Sequence, residues 1–77
     1  MNKLDSLLTP KSIAIVGASP DPNNLARGRL IPALVQGGFT GKIYPVNPSH
    51  EEIYGYKTYK KLIDIPEPFD LALIVIS

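Results

Sequence analysis

The chain of 77 residues has no cysteine, no tryptophan, a formal charge of only +1 and no long apolar run. Each absence removes a class of function. Without cysteine there are no disulfides, thiolate metal sites or cysteine nucleophiles. A charge this close to zero gives no electrostatic reason to expect nucleic acid or a membrane surface as the main partner. The longest apolar stretch, Leu71 to Ile76, is far too short to cross a bilayer. The N-terminus carries Asp5 and lacks the apolar centre of a signal peptide, so the expected compartment is the cytoplasm. Asp64, Glu67 and Asp70 are spread around a proline-rich turn without metal-ligand spacing. No nucleophile stands beside a base in the manner covalent catalysis requires.

What the sequence does contain is a modest apolar fraction, 44%, which argues against disorder. The length supports one small domain at most, and chains this short are marginal alone. Leu4, Leu7 and Leu8 share one face of a short helix that should stop before Pro10. Ser12 to Val16 (SIAIV) is rich in β-branched residues and reads as a buried strand ending at Gly17. A loop of Ser, Asp, Pro and Asn follows. From Leu25 to Gln36 the spacing predicts a helix, with Ala26, Leu30, Ala33 and Leu34 on its buried face. Asn23 or Asn24 is its N-cap, and Gly37 and Gly38 supply its left-handed stop. Pro32 cannot donate to the carbonyl of Gly28, which predicts a kink or a later start to the regular helix.

Lys42 to Asn47 (KIYPVN) reads as a second strand whose proline marks an edge or an early end. Tyr59 to Ile63 can form one or two helical turns after Thr58. Asp70 to Ile76 (DLALIVI) is a third strand, apolar on consecutive residues, as a parallel strand covered on both faces would be. Strand, helix, strand, short helix, strand is the first half of a doubly wound, Rossmann-like α/β sheet. The run ends on a strand, so residues 1–77 are expected to be the N-terminal part of a domain within a longer chain.

The first loop of such a unit lies at the carboxyl end of strand one, where main-chain N–H groups and a helix N-terminus suit phosphate. Gly17 permits the turn, Ala18 is small, Ser19 offers a hydroxyl, and Gly28 would let helix and strand pack closely. Arg27 and Arg29 add positive charge. A nicotinamide dinucleotide site calls for an acid at the end of strand two to bind the ribose hydroxyls. Here that strand ends Pro45-Val46-Asn47-Pro48, and the glycine spacing of the dinucleotide fingerprint is missing too. Both features oppose an NAD-dependent oxidoreductase. His50 reads as an ordinary loop residue. Tyr44, Tyr54, Tyr56 and Tyr59 read as filling a sheet–helix boundary rather than stacking on adenine. Lys57, Lys60 and Lys61 read as a solvated helix face.

PKSIAIVGAS (10–19), GGFTGKIYPVNP (37–48) and Ile65-Pro66-Glu67-Pro68 before a final strand occur together along the chain. The combination resembles the N-terminal CoA-binding domain of the NDP-forming acyl-CoA synthetases. That family includes the ADP-forming acetate–CoA ligases and, more distantly, the succinyl-CoA synthetase α subunit. The likeness runs from about Leu4 to Ser77 and spans roughly the first half of that domain.

The resemblance implies a Rossmann-like fold that binds coenzyme A. Gly17, Ala18 and Ser19 would wrap the pyrophosphate with Pro20 shaping the loop. Val46, Asn47 and Pro48 would border adenine and ribose, and the final strand would approach the pantetheine arm. Ser49 and His50 stand where many members carry a lysine suited to the 3′-phosphate, leaving Arg27 or Arg29 as substitutes. Within a ligase, the chain would hold CoA while ATP or ADP, Mg and the phosphohistidine belong to other domains or subunits. By itself it would not be catalytic. The other readings are the same module fused to an acetyltransferase in a regulatory role, and a stand-alone CoA-binding or NAD-sensing protein.

Overall fold

A computed structural model describes residues 10–75. The short helix expected before Pro10, and the last residues of the expected third strand, lie outside them.

Strand β1 (Ser12–Val16) is central, with β2 (Lys42–Val46) on one side and β5 (Leu71–Ile74) on the other. Both pairings are parallel. Ser12 sits opposite Lys42 and Val16 opposite Val46, while Ile13 sits opposite Leu71 and Val16 opposite Ile74. Side chains alternate between the faces of a strand, so the sheet carries two apolar layers. Ile13, Ile15 and Ile43 point to one face, against Ile31 and Ile53, with Leu30, Leu34, Phe39, Leu71 and Leu73 around them. Ala14, Tyr44 and Val46 point to the other, covered by Ile65 with Tyr59 and Phe69. Ile15 and Ile53 are fully buried, a gain of about 1.5–3 kcal/mol for each such side chain.

Pro45 confirms the edge position expected of β2. Its carbonyl accepts from the Tyr59 N–H at 2.9 Å, so its backbone polar side faces away from β1. The missing proline N–H therefore costs the β1–β2 ladder nothing. A parallel bridge between Val46 and Tyr59 shields that edge. At the other side of the sheet the expectation of two covered faces is only half met. Leu71, Leu73 and Val75 pack on the helix-covered layer, whereas Ile74 is 77% exposed. Among the described residues the helix lies on one face alone.

The helix is shorter than its pattern. Helix α1 (Leu30–Gln36) starts with Arg29 as N-cap, and residues 25–29 are turns. Pro32 explains the later start, because it cannot give the Gly28 carbonyl its helical hydrogen bond. The hydroxyl of Tyr54 donates to that carbonyl instead, at 2.6 Å. The helix ends as expected at its glycines, with Gly38 alone in the left-handed region at φ +95°. The N–H groups of Gly38 and Phe39 donate to the carbonyls of Val35 and Leu34, closing a Schellman motif.

Between β2 and β5 the chain forms a hairpin that the sequence reading did not anticipate, β3 (Glu52–Ile53) and β4 (Tyr56–Lys57). Its two-residue turn has Tyr54 at φ +52° and Gly55 at φ +83°, both positive as a type I′ turn requires. Lys57 thus lies on a strand rather than a helix, with its ammonium 5.4 Å from the Tyr59 ring centroid. The helical turns expected over Tyr59 to Ile63 appear later, as a 3₁₀ turn at Leu62–Asp64. Tyr59 is held instead by its main-chain bonds to the β2 edge.

Candidate functional site

The carboxyl ends of β1, β2 and β5 meet at Gly17, Asn47 and Val75. Gly17 has φ +93°, and a Cβ there would run into the Val75 carbonyl oxygen. Its N–H donates to the Val46 carbonyl at 2.9 Å, while the Val75 N–H donates to the Val16 carbonyl at 2.9 Å. Glycine is therefore required twice, for the backbone conformation and for the close approach of β5.

The following loop is built by short polar side chains that imitate backbone turns. The Asp21 N–H donates to Ser19 Oγ at 3.1 Å, the Asn23 N–H to Asp21 Oδ1 at 2.9 Å, and the Arg27 N–H to Asn24 Oδ1 at 3.0 Å. The Ser19 N–H donates to the Arg27 carbonyl at 2.9 Å and closes the loop on itself. Asn24 thus does cap, but it caps a turn, five residues ahead of the helix cap at Arg29. Gly28 is buried, and a Cβ there would strike the Asp21 and Asn24 carbonyls. Its role is loop closure, not the helix–strand packing expected of it.

Two side chains reach the turn from outside. Arg27 Nε donates to the Gly17 carbonyl at 2.6 Å, and Asn47 Nδ2 donates to the Ala18 carbonyl at 2.9 Å. Asn47 is 6% exposed, and its Oδ1 accepts from the Ser49 N–H at 2.8 Å. Its side chain joins the β1 and β2 loops. Arg29 turns elsewhere, donating to the Pro22 carbonyl at 3.0 Å.

The expected phosphate cradle of bare amides is thus partly used by the fold. The amides of Gly17 and Ser19 have internal acceptors; that of Ala18 has none among the described residues. Ala18 is wholly buried with the isoleucine core, its main chain included. Ser19 is half-buried, while Pro20, Pro48, Ser49 and His50 are exposed around the same end of the sheet. Regular helix begins only at Leu30, behind the Arg29 cap.

The tyrosines divide. Tyr44 is buried 6.1 Å from the Tyr59 ring centroid, and Tyr56 packs on the isoleucine layer. Burial, then the nearby Glu67 charge, pushes the Tyr44 phenol above its ordinary range. Tyr54 is the residue that sequence reasoning missed. Its signal was readable in Tyr54-Gly55, a turn pair between alternating residues, and in the Gly28 carbonyl that Pro32 leaves vacant. Among the described residues no group of three or more acidic or histidine side chains is placed to hold a metal ion.

A glycine turn under a parallel sheet, with asparagine where a dinucleotide site has an acid, agrees with one family. The CoA binding domain matches residues 11–77. The chain belongs to that family.

As a CoA binding domain it is 43% identical over 74 residues to a trans-feruloyl-CoA synthase from an unknown prokaryotic organism, covering 96% of this chain and 10% of the synthase. It is 44% identical over 69 residues to an ADP-forming acetate–CoA ligase of Methanocaldococcus jannaschii, covering 87% of this chain and 9% of the ligase. Among solved structures it superimposes on a dinucleotide-forming acetyl-coenzyme A synthetase of Ca. Korarchaeum cryptofilum. There the TM-score is 0.85 at 41% identity, over 95% of this chain and 16% of that one. The CoA binding domain therefore spans about a tenth of these curated relatives, and its Rossmann-like sheet matches that of the solved synthetase.

Proposed function

We propose that the chain holds coenzyme A at the carboxyl ends of β1, β2 and β5 as the N-terminal CoA-binding part of an ADP-forming acyl-CoA synthetase. In this reading residues 1–77 belong to a longer cytoplasmic protein, and ATP or ADP, Mg and the phosphoryl-transfer residues act in its other domains or subunits. Bound CoA supplies the thiol that receives the acyl group. The Gly17-Ala18-Ser19-Pro20 turn receives the diphosphate through its main chain and the Ser19 hydroxyl. Val46, Asn47 and Pro48 line the nucleoside side. Asn47 holds the two loops together, and Arg27 holds the turn.

One observation carries the reading. The β2 terminus presents a buried amide side chain bonded to both loops, where recognition of the NAD ribose needs an accepting carboxylate. In this reading the turn takes the diphosphate, and a free 2′,3′-diol finds no acid at the end of β2. Calorimetry with CoA, 3′-dephospho-CoA and NAD on the intact protein tests it. CoA binds more tightly than NAD if the reading holds; NAD binding as tightly as CoA overturns it. Comparing CoA with its dephospho form measures what Ser49, His50 and the nearby arginines contribute to the 3′-phosphate.

A further inference from the structure

Among the described residues Tyr54 alone is a non-glycine with a positive φ, +52°. The first corner of such a tight turn ordinarily takes asparagine, aspartate or glycine, and a bulky aromatic there carries backbone strain. Core packing does not account for the choice, because Tyr54 is 40% exposed. What tyrosine has and the usual turn residues lack is reach. Its hydroxyl crosses from the hairpin to the Gly28 carbonyl and donates to it at 2.6 Å.

Gly28 stands at the far end of the polar loop, which leaves the sheet at Gly17 and returns through Arg27. The Arg27 carbonyl accepts from the Ser19 N–H at 2.9 Å, and the Gly28 N–H donates to the Asn24 carbonyl at 2.8 Å. These bonds close the loop on itself. Among the described residues, the Tyr54 hydroxyl makes the one hydrogen bond that reaches residues 20–28 from outside the loop. The hairpin is a firm support for it. Ile53, the neighbour of Tyr54, is fully buried, and the Tyr59 N–H is bonded to the Pro45 carbonyl of β2.

We propose that Tyr54 is a positioning residue for the ligand: through the Gly28 carbonyl its hydroxyl props the returning end of the loop against the hairpin, and so holds Ser19 where the diphosphate is received. Tyr54 acts through the loop rather than on the ligand. Strain at the turn persists because the surrounding contacts over-determine it, as at other sites where backbone strain serves a function. The proposal rests on the CoA reading of the turn, and adds what keeps the turn in place.

Tyr54→Phe removes only the hydroxyl. Calorimetry on the intact, folded protein is expected to show CoA bound about three- to tenfold more weakly, the net worth of one neutral hydrogen bond. A residue that merely stabilised the fold would leave that affinity alone, so an unchanged affinity overturns the proposal. Pro32→Ala supplies the rescue, since residue 32 then has an N–H to offer the Gly28 carbonyl. In that background the effect of Tyr54→Phe is expected to fall below about twofold, and an undiminished effect also overturns the proposal. Hydrogen exchange of the ligand-free protein gives a readout independent of CoA. Residues 17–29 are expected to exchange about threefold or more faster in Tyr54→Phe than in wild type, and equal rates overturn the proposal. If wild type fails to bind CoA the ligand reading falls, and the exchange comparison still decides whether Tyr54 sets the loop.

Discussion

At Gly17 a positive φ coincides with a carbonyl, that of Val75, lying where a Cβ would project. Gly17→Val is expected to destabilise the fold by at least about 1–3 kcal/mol, the usual cost of a side chain in such backbone, and to abolish CoA binding. Denaturant unfolding and calorimetry measure the two effects. The glycine was legible in the sequence because it follows a β-branched run. The Val75 contact was not, because it joins opposite ends of the chain. Asn47 shows the same limit. Sequence placed it beside the nucleoside; that its side chain also bonds the Ala18 carbonyl and the Ser49 N–H was not legible there. Asn47→Ala leaves a buried carbonyl without its partner, and is expected to cost about 1–3 kcal/mol in denaturant unfolding.

The elements show where local pattern stops deciding. β-Branching and consecutive apolar residues located β1, β2 and β5, the last two drawn slightly too long, since parallel strands write their burial into consecutive residues. The helix was overdrawn because its apolar spacing continues into 25–29, where Pro32 denies the Gly28 carbonyl its partner. The hairpin replaces that partner through Tyr54. Tyr54→Phe should therefore cost about 0.5–1.5 kcal/mol. In a Pro32→Ala background the cost should shrink, because residue 32 then has an N–H to offer the same carbonyl. A double-mutant cycle by urea unfolding reads that coupling, and strictly additive effects would count against the substitution of one donor for the other.

At the scale of the whole molecule, Lys42 at the start of β2 meets Glu67 before β5, with Nζ and Oε2 2.7 Å apart. The Lys42 hydrogen bond, then its charge, holds the Glu67 carboxyl below its ordinary value of 4.5. A carboxyl lowered in the folded state stabilises above its unfolded value, and that contribution fades as pH falls through the folded one. Both side chains are more than half exposed, so the contribution is small. Wild type should melt slightly above Glu67→Gln at neutral pH, the gap closing below pH 4.5 and in about 1 M salt. Bound CoA should raise the melting temperature of the intact protein with its concentration.

The sequence by itself determined the sheet, its glycine turn, the absence of a carboxylate after β2 and the family, because these are properties of neighbouring residues and of their spacing. Only the tertiary structure decided which carbonyl each polar side chain takes: Arg27 on Gly17, Asn47 on Ala18, Tyr54 on Gly28. Those bonds are chosen by which loops the packed sheet brings within about 3 Å of each other, the reach of a hydrogen bond, and no local pattern along the chain encodes that distance.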